Sequence, residues 1–210
     1  MGRPEGTRNP GYTEKRAALT HKLLLRLLEG DGTRCSLNDL ADAADASVPT
    51  LKHYFGDRAG LVVAALKSAE ALGAAHVEPM AVPSSPDLAT SMRDAVFHIL
   101  LGWRSFGVDR VFAGSLAIGL AHVDAGPAFL TGVLEPTQQA IERRLRVHAL
   151  RGEASIDDGG ERAAALGFVA PLLMALLHQG PLGGDACRPL DLSAFVDTHV
   201  AAFVRAWGPR

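Results

Sequence analysis

Apolar residues recur along this chain mostly at steps of three and four, the spacing that lines one face of a helix. The first stripe is Leu19, Leu23 and Leu27, with Leu24 and Leu28 beside it. It predicts a helix over residues 13–29, with Thr13 as its cap and Gly30 and Gly32 as its stop. A second helix starts at Ser36, where Asp39 three residues on completes a capping-box pattern and Leu37, Leu40, Ala41 and Ala44 face inward. After only Asp45-Ala46, Ser47 caps a third helix over residues 48–54. Its Pro49 lies in the first turn, where a missing N–H costs nothing, and Gly56 stops it. Asp57 caps a fourth, which runs to residue 78, ahead of Pro79. Beyond the Val82-Pro83-Ser84-Ser85-Pro86 loop, helices are predicted over 88–106, 110–123, 127–151, 162–179 and 192–207, separated by Gly and Pro.

Strand signals are scarce. Aromatics make up 6% of the chain, and Asp31-Gly32 and Asp158-Gly159 join helical patterns rather than alternating runs. The fold class is therefore all-α: a small N-terminal head over 1–56, a linking helix over 57–79 and a larger body over 80–210. At 48% apolar and 21% charged, the chain can bury a sizeable core. Charge is unevenly shared. Residues 1–67 hold ten Lys/Arg against eight Asp/Glu, residues 68–210 eleven against fifteen, which suits a nucleic-acid-reading front and a separate rear. Cys35 and Cys187, far apart, make neither a disulfide framework nor a zinc spacing and fit a reducing cytoplasm. The Gly-, Pro- and Arg-rich start lacks the apolar run of a secretory leader. The charge-free stretch 163–184 has a continuous apolar part shorter than the roughly 18 residues a membrane span needs, so it reads as a buried helix and no membrane partner is expected.

Two short helices joined by a tight turn form a helix-turn-helix, whose second member enters the DNA major groove. The third helix is too short to stand alone, so packing must hold it, with Leu51 and Phe55 as anchors. That leaves Ser47, Val48, Pro49, Thr50, Lys52, His53 and Tyr54 outward, a set suited to phosphates and base edges, with Ser36 and Arg58 flanking it. Arg3, on the N-terminal arm, is a candidate for an adjacent minor groove.

The segment from Ala44 to Leu61, with Thr50-Leu51 followed by Phe55 and the charged Arg58 after the Phe loop, resembles the tetracycline-repressor (TetR) family of regulators. The close resemblance covers residues 12–66; beyond that it is one of architecture. It implies a three-helix DNA-binding head, a linking helix, and a helical body that binds a small-molecule effector and dimerises, so that the homodimer reads a palindromic double-stranded operator. Departures lie in the turn, where Asp45 replaces the usual Gly, at Lys52, where Tyr is common, and at Arg58, where Lys is common. Asp tolerates the left-handed conformation better than most residues.

In the body, Leu100, Trp103, Phe106, Phe112, Leu116, Phe129, Phe168 and Met174 are candidate pocket walls for an apolar or aromatic molecule, with His122 and His178 as polar anchors; the same residues also suit a solid core. Leu172 and Leu176, with Phe195, Val196, Phe203 and Trp207, are candidates for a four-helix dimer interface. The stretch Glu142-Arg143-Arg144-Leu145-Arg146 reads as a solvated helix face. The eight histidines show no metal-binding spacing, Ser115 lacks a G-x-S-x-G setting, and no dinucleotide or P-loop fingerprint occurs, so no enzyme, metal or cofactor is expected. The reading is a repressor released by a small apolar or aromatic molecule. The alternative is a helical small-molecule-binding protein or enzyme that retains a vestigial head.

Overall fold

Leu19, Leu23, Leu24 and Leu27 are buried along one side of the first helix, α1 (Pro10–Leu27), as their spacing requires. The computed structural model describes residues 10–29, 31–105 and 107–209, and their side chains except at 10, 33 and 70–76. Arg3 and Phe106 therefore lie outside the described residues. After a short 3-10 turn (Gly32–Arg34) come α2 (Leu37–Ala43), α3 (Val48–Phe55), α4 (Arg58–Ala81), α5 (Leu88–Ser105) and α6 (Val108–Ala121). Then follow α7 (Gly126–Phe129), a π turn (Leu130–Leu134), α8 (Glu135–Leu150), α9 (Glu161–Gln179), α10 (Gly184–Cys187) and α11 (Leu192–Trp207). No strand occurs among the described residues: the fold is all-α.

Several boundaries differ from the sequence reading, three of them for a physical reason. α1 opens at Pro10, so Thr13 lies inside it; a proline at the first helical position loses no hydrogen bond. The helix expected over 127–151 is broken by the π turn, directly before Pro136, which cannot donate back into the preceding turn. α4 passes Pro79 and ends at Ala81. The last carbonyls of a helix lack intrahelical donors. Here Arg144 supplies them, with Nε to Met80 O at 2.7 Å and Nη2 to Pro79 O at 3.0 Å.

The chain divides into two compact units, residues up to 69 with 114–129, and 70–113 with 130–210. Two of the cuts fall inside α4 and α6, and the third between α7 and the π turn. In the first unit, α1 packs on α2 and α2 on α3. Gly114 sits so close to Leu28 that an added Cβ would lie 3.2 Å from its side chain. Arg58 Nε donates to the Cys35 carbonyl at 2.8 Å, and its Nη1 meets His122 Nε2 at 3.1 Å.

In the second unit α8 lies along α9, and α11 packs on both α5 and α9. Phe168, fully buried, stacks on His199 (5.2 Å) and meets Phe203 edge-on (4.9 Å). By length and composition α9 is apolar enough to cross a membrane; it buries Phe168, Val169, Leu172 and Leu176 inside this unit.

Arg144 is not on a solvated face, contrary to the sequence reading. Its neighbours Arg143 and Arg146 are exposed, but Arg144 is fully buried. Its guanidinium also reaches the Ser91 carbonyl, Ser91 Oγ (2.8 Å) and Asp94 Oδ2 (3.0 Å). Ser91 Oγ, already accepting from Arg144, donates to Nε2 of the buried His148 (2.8 Å), whose Nδ1–H donates to Glu153 Oε2 (2.8 Å). Burial pushes the His148 pKa below its usual value, against the opposing pull of Glu153 and aided by the Arg144 charge. In the unfolded chain His148 takes up a proton near pH 6.5, while the folded chain does not until lower pH. The unfolded state then binds more protons, so this contribution to stability is full above that pH and is lost as pH falls through it. The urea midpoint is expected to drop between pH 7.5 and 5.5, and His148→Gln to flatten that drop. An equally steep drop in the variant contradicts the assignment.

Candidate nucleic-acid interface

The geometry of the α2–α3 pair starts from its caps. Ser36 Oγ accepts from Asp39 N (3.2 Å), and Asp39 Oδ2 accepts from Ser36 N (2.8 Å), so the first turn of α2 is closed on itself. The Ser36 hydrogen bonds hold the Asp39 carboxyl below the usual carboxylate range, and it stays ionised beside the positive helix end. Lys22 Nζ donates to Ala44 O (3.3 Å) at the other end of α2.

The turn is two residues deep. Asp45 carries it with φ of 52°, a left-handed conformation that side chains rarely adopt. Ala46 N bonds back to Ala41 O (3.0 Å), and Ser47 then caps α3 by accepting from Thr50 N (3.2 Å). Asp45→Gly is expected to hold or raise stability by up to about 1 kcal/mol, and Asp45→Val to lower it by about 1–3 kcal/mol, since a β-branched residue is strained at positive φ. Urea melts of both variants check this; equal midpoints contradict it.

α3 is held by Leu51, 1% exposed, and Phe55 beneath it. Arg16 of α1 lies over the Phe55 ring at 5.2 Å. Ser47, Pro49, Lys52 and His53 are exposed, while Val48, Thr50 and Tyr54 are half-buried. Thr50 Oγ1 is hydrogen-bonded to Ser47 Oγ (2.8 Å). Tyr12 of α1 sits 4.6 Å from the Tyr54 ring and 5.9 Å from His53, a contact that no local pattern in the sequence announces. Gly56 ends the helix at φ of 83°, and Asp57 Oδ1 accepts from Gly60 N (2.8 Å) to start α4. The result is a rigid short helix with an outward face of hydroxyl, ammonium and imidazole groups. Arg58, expected to flank that face, is half-buried and hydrogen-bonds the Cys35 carbonyl and His122 Nε2 within the unit.

The other candidates separate. Leu116, His122 and Phe129 belong to the first unit, where Phe129 packs against Gly119. In the second unit, buried Trp103 and Phe112 meet at 5.7 Å, Leu100 is half-buried, and Phe168 lies under Phe203. Met174 and His178 line a groove of about 430 Å³ with Pro171, Ala175, Arg188, Pro189, Leu190 and Phe195. Of the dimer candidates, Leu172, Leu176 and Phe203 are buried within the single chain, where α9 and α11 pack together; Phe195, Val196 and Trp207 are half-buried. No cluster of three metal-ligating side chains occurs among the described residues.

No family model and no curated protein matches the chain. Solved structures do. A protein described as a TetR-family transcriptional regulator of Mesorhizobium loti superposes with a TM-score of 0.73 over 97% of this chain and 100% of its own, at 17% identity. A flavonoid-responsive regulator gives 0.67 over 94% and 99%, at 19% identity. SmeT, the repressor of the Stenotrophomonas maltophilia multidrug efflux pump SmeDEF, gives 0.59 over 92% and 90%, at 16% identity. SmeT is also solved in complex with triclosan. At these identities the likeness establishes the fold: the chain has the all-α architecture of TetR-family regulators and resembles that family from end to end.

Proposed function

We propose that the chain is a DNA-binding transcription regulator that acts as a homodimer in the cytoplasm and represses until a small apolar or aromatic molecule releases it. The observation that carries this reading is the outward face of α3. Ser47, Pro49, Lys52 and His53 stand exposed on a helix that Leu51 and Phe55 fix from below. Ser36, Val48, Thr50 and Tyr54 flank that face, and hydroxyl-bearing residue types of this kind are what helix-turn-helix proteins turn to phosphates and base edges.

A single eight-residue helix reads too few bases for useful specificity, which favours two copies. The outer faces of α9 and α11, with Leu166 exposed and Val196 and Trp207 half-buried, are the surface we assign to the second copy. An effector is supported by the named partners of the structural neighbours, a flavonoid in one case and triclosan in another, both aromatic.

Selection from a pool of random duplex DNA tests the reading. It is expected to enrich an inverted repeat with half-sites about 34–36 Å apart, centre to centre. A pool that stays random through successive rounds contradicts it.

A further inference from the structure

The groove at the C-terminal end of α9 is built rather than incidental. Its far wall is the loop at residues 188–190, and that loop is pinned by one buried side chain, Gln179. The Leu190 N–H can only donate, and it gives its hydrogen to Gln179 Oε1 (2.8 Å). The Arg188 carbonyl can only accept, and it takes one from Gln179 Nε2 (3.1 Å). These two bonds fix which way the amide faces. The second Nε2 hydrogen then points to His178 Nδ1, 2.7 Å away, so Nδ1 accepts and the ring carries its hydrogen on Nε2. Gly184 presses so closely on the His178 ring and carbonyl that a Cβ there would collide with both. His178, a wall residue of the groove, thus stands in one orientation and one tautomer with a donor to offer.

The other walls, Pro171, Met174, Leu190 and Phe195 among them, are apolar apart from Arg188. Met174 and Leu190 are 62% and 41% exposed, apolar surface left open to solvent. Arg188 is the one formal charge on the lining, and no carboxylate among the described residues pairs with its guanidinium. The open groove's 430 Å³ falls in the range of small-molecule sites, which are apolar with a few fixed polar groups. An apolar body with one anionic end complements it: the body covers Met174, Leu190 and Phe195, and the anion takes the guanidinium and the imidazole N–H.

From this geometry we infer that the groove binds a small apolar carboxylate, one with an aromatic or branched body of about two fused rings. As the site of an effector this rests on the regulator reading above. Occupancy of the groove itself is measured without DNA, so the two fail separately.

The probes are 2-naphthoate and its uncharged counterpart 2-naphthylmethanol, titrated calorimetrically into the full-length protein. The carboxylate is expected to bind about tenfold more tightly than the alcohol, the ratio that one charge-assisted hydrogen bond supplies. Arg188→Gln, on an exposed side chain, is expected to bring the two probes level. Met174→Trp, which fills the groove from its exposed rim, is expected to weaken both at least tenfold. Either variant that leaves naphthoate affinity unchanged overturns the proposal. So does an absence of naphthoate binding to the unaltered protein, the outcome if a second copy seals the groove. Binding of naphthoate by protein that selects no DNA keeps the site and rejects the regulator; DNA selection without naphthoate binding does the reverse.

Discussion

Arg144→Met is expected to cost the fold about 3–5 kcal/mol, the largest effect of any single substitution considered. The side chain is fully buried and donates to three backbone carbonyls, at Pro79, Met80 and Ser91, to one hydroxyl and to Asp94. Methionine fills most of the volume but supplies no donor. Each carbonyl left without a partner costs roughly 1–3 kcal/mol, partly relieved where water enters. Asp94 is itself partly exposed and turns to solvent, so its loss adds little. Arg144→Lys is expected to recover only part, because one ammonium cannot reach acceptors spread around a planar fork. Urea unfolding of the three proteins checks this. Domains are typically stable by only 5–15 kcal/mol, so the methionine variant is expected to unfold at much lower urea. A loss under about 1 kcal/mol contradicts the role given to this residue.

Lys52→Ala is expected to weaken operator binding about 30- to 25,000-fold while leaving the far-ultraviolet circular dichroism unchanged. The ammonium is exposed and the fold does not depend on it. One lost contact to a phosphate or base costs about 1–3 kcal/mol, and a dimer loses two. Tyr54→Ala is expected to act in the same direction, but through position as well, because Tyr54 rests on Tyr12 at 4.6 Å and helps set the angle of α3 on α1. A change below about threefold in the Lys52 variant removes that residue from the interface.

What the sequence revealed was what is local. The caps at Ser36 and Ser47 each bond to a residue three positions on, so a short window contains both partners. The left-handed turn residue was legible at Asp45 through the family resemblance, which implies a Gly there, and aspartate tolerates that conformation better than most residues. Leu51 and Phe55 follow from helical spacing.

What the local sequence did not announce mostly involves partners remote in sequence. Arg144 sits in a run of charges that reads as solvated, yet the carbonyls it serves lie 64 and 65 residues away, and they are also why α4 continues past Pro79. Arg58, a DNA candidate from its place after the third helix, also meets His122, 64 residues on, a contact its local sequence does not announce. Leu172, Leu176 and Phe203 look like surplus apolar surface until α9 and α11 are laid together, when each chain uses them for itself. The groove depends on Gln179 reaching a loop nine and eleven residues away, a contact that neither composition nor periodicity encodes.

The central claim is that α3 carries cations to the phosphates of a duplex, and salt titration tests it most directly. Affinity for the selected duplex is measured by fluorescence anisotropy from about 50 to 200 mM salt, for the unaltered protein and for Lys52→Ala. Each neutralised phosphate releases counterions and steepens the plot of log affinity against log salt by about 0.9. The account predicts a steep line for the unaltered dimer and one shallower by about two for the variant, one phosphate for each protomer. Two parallel lines, or affinity that ignores salt altogether, would contradict it.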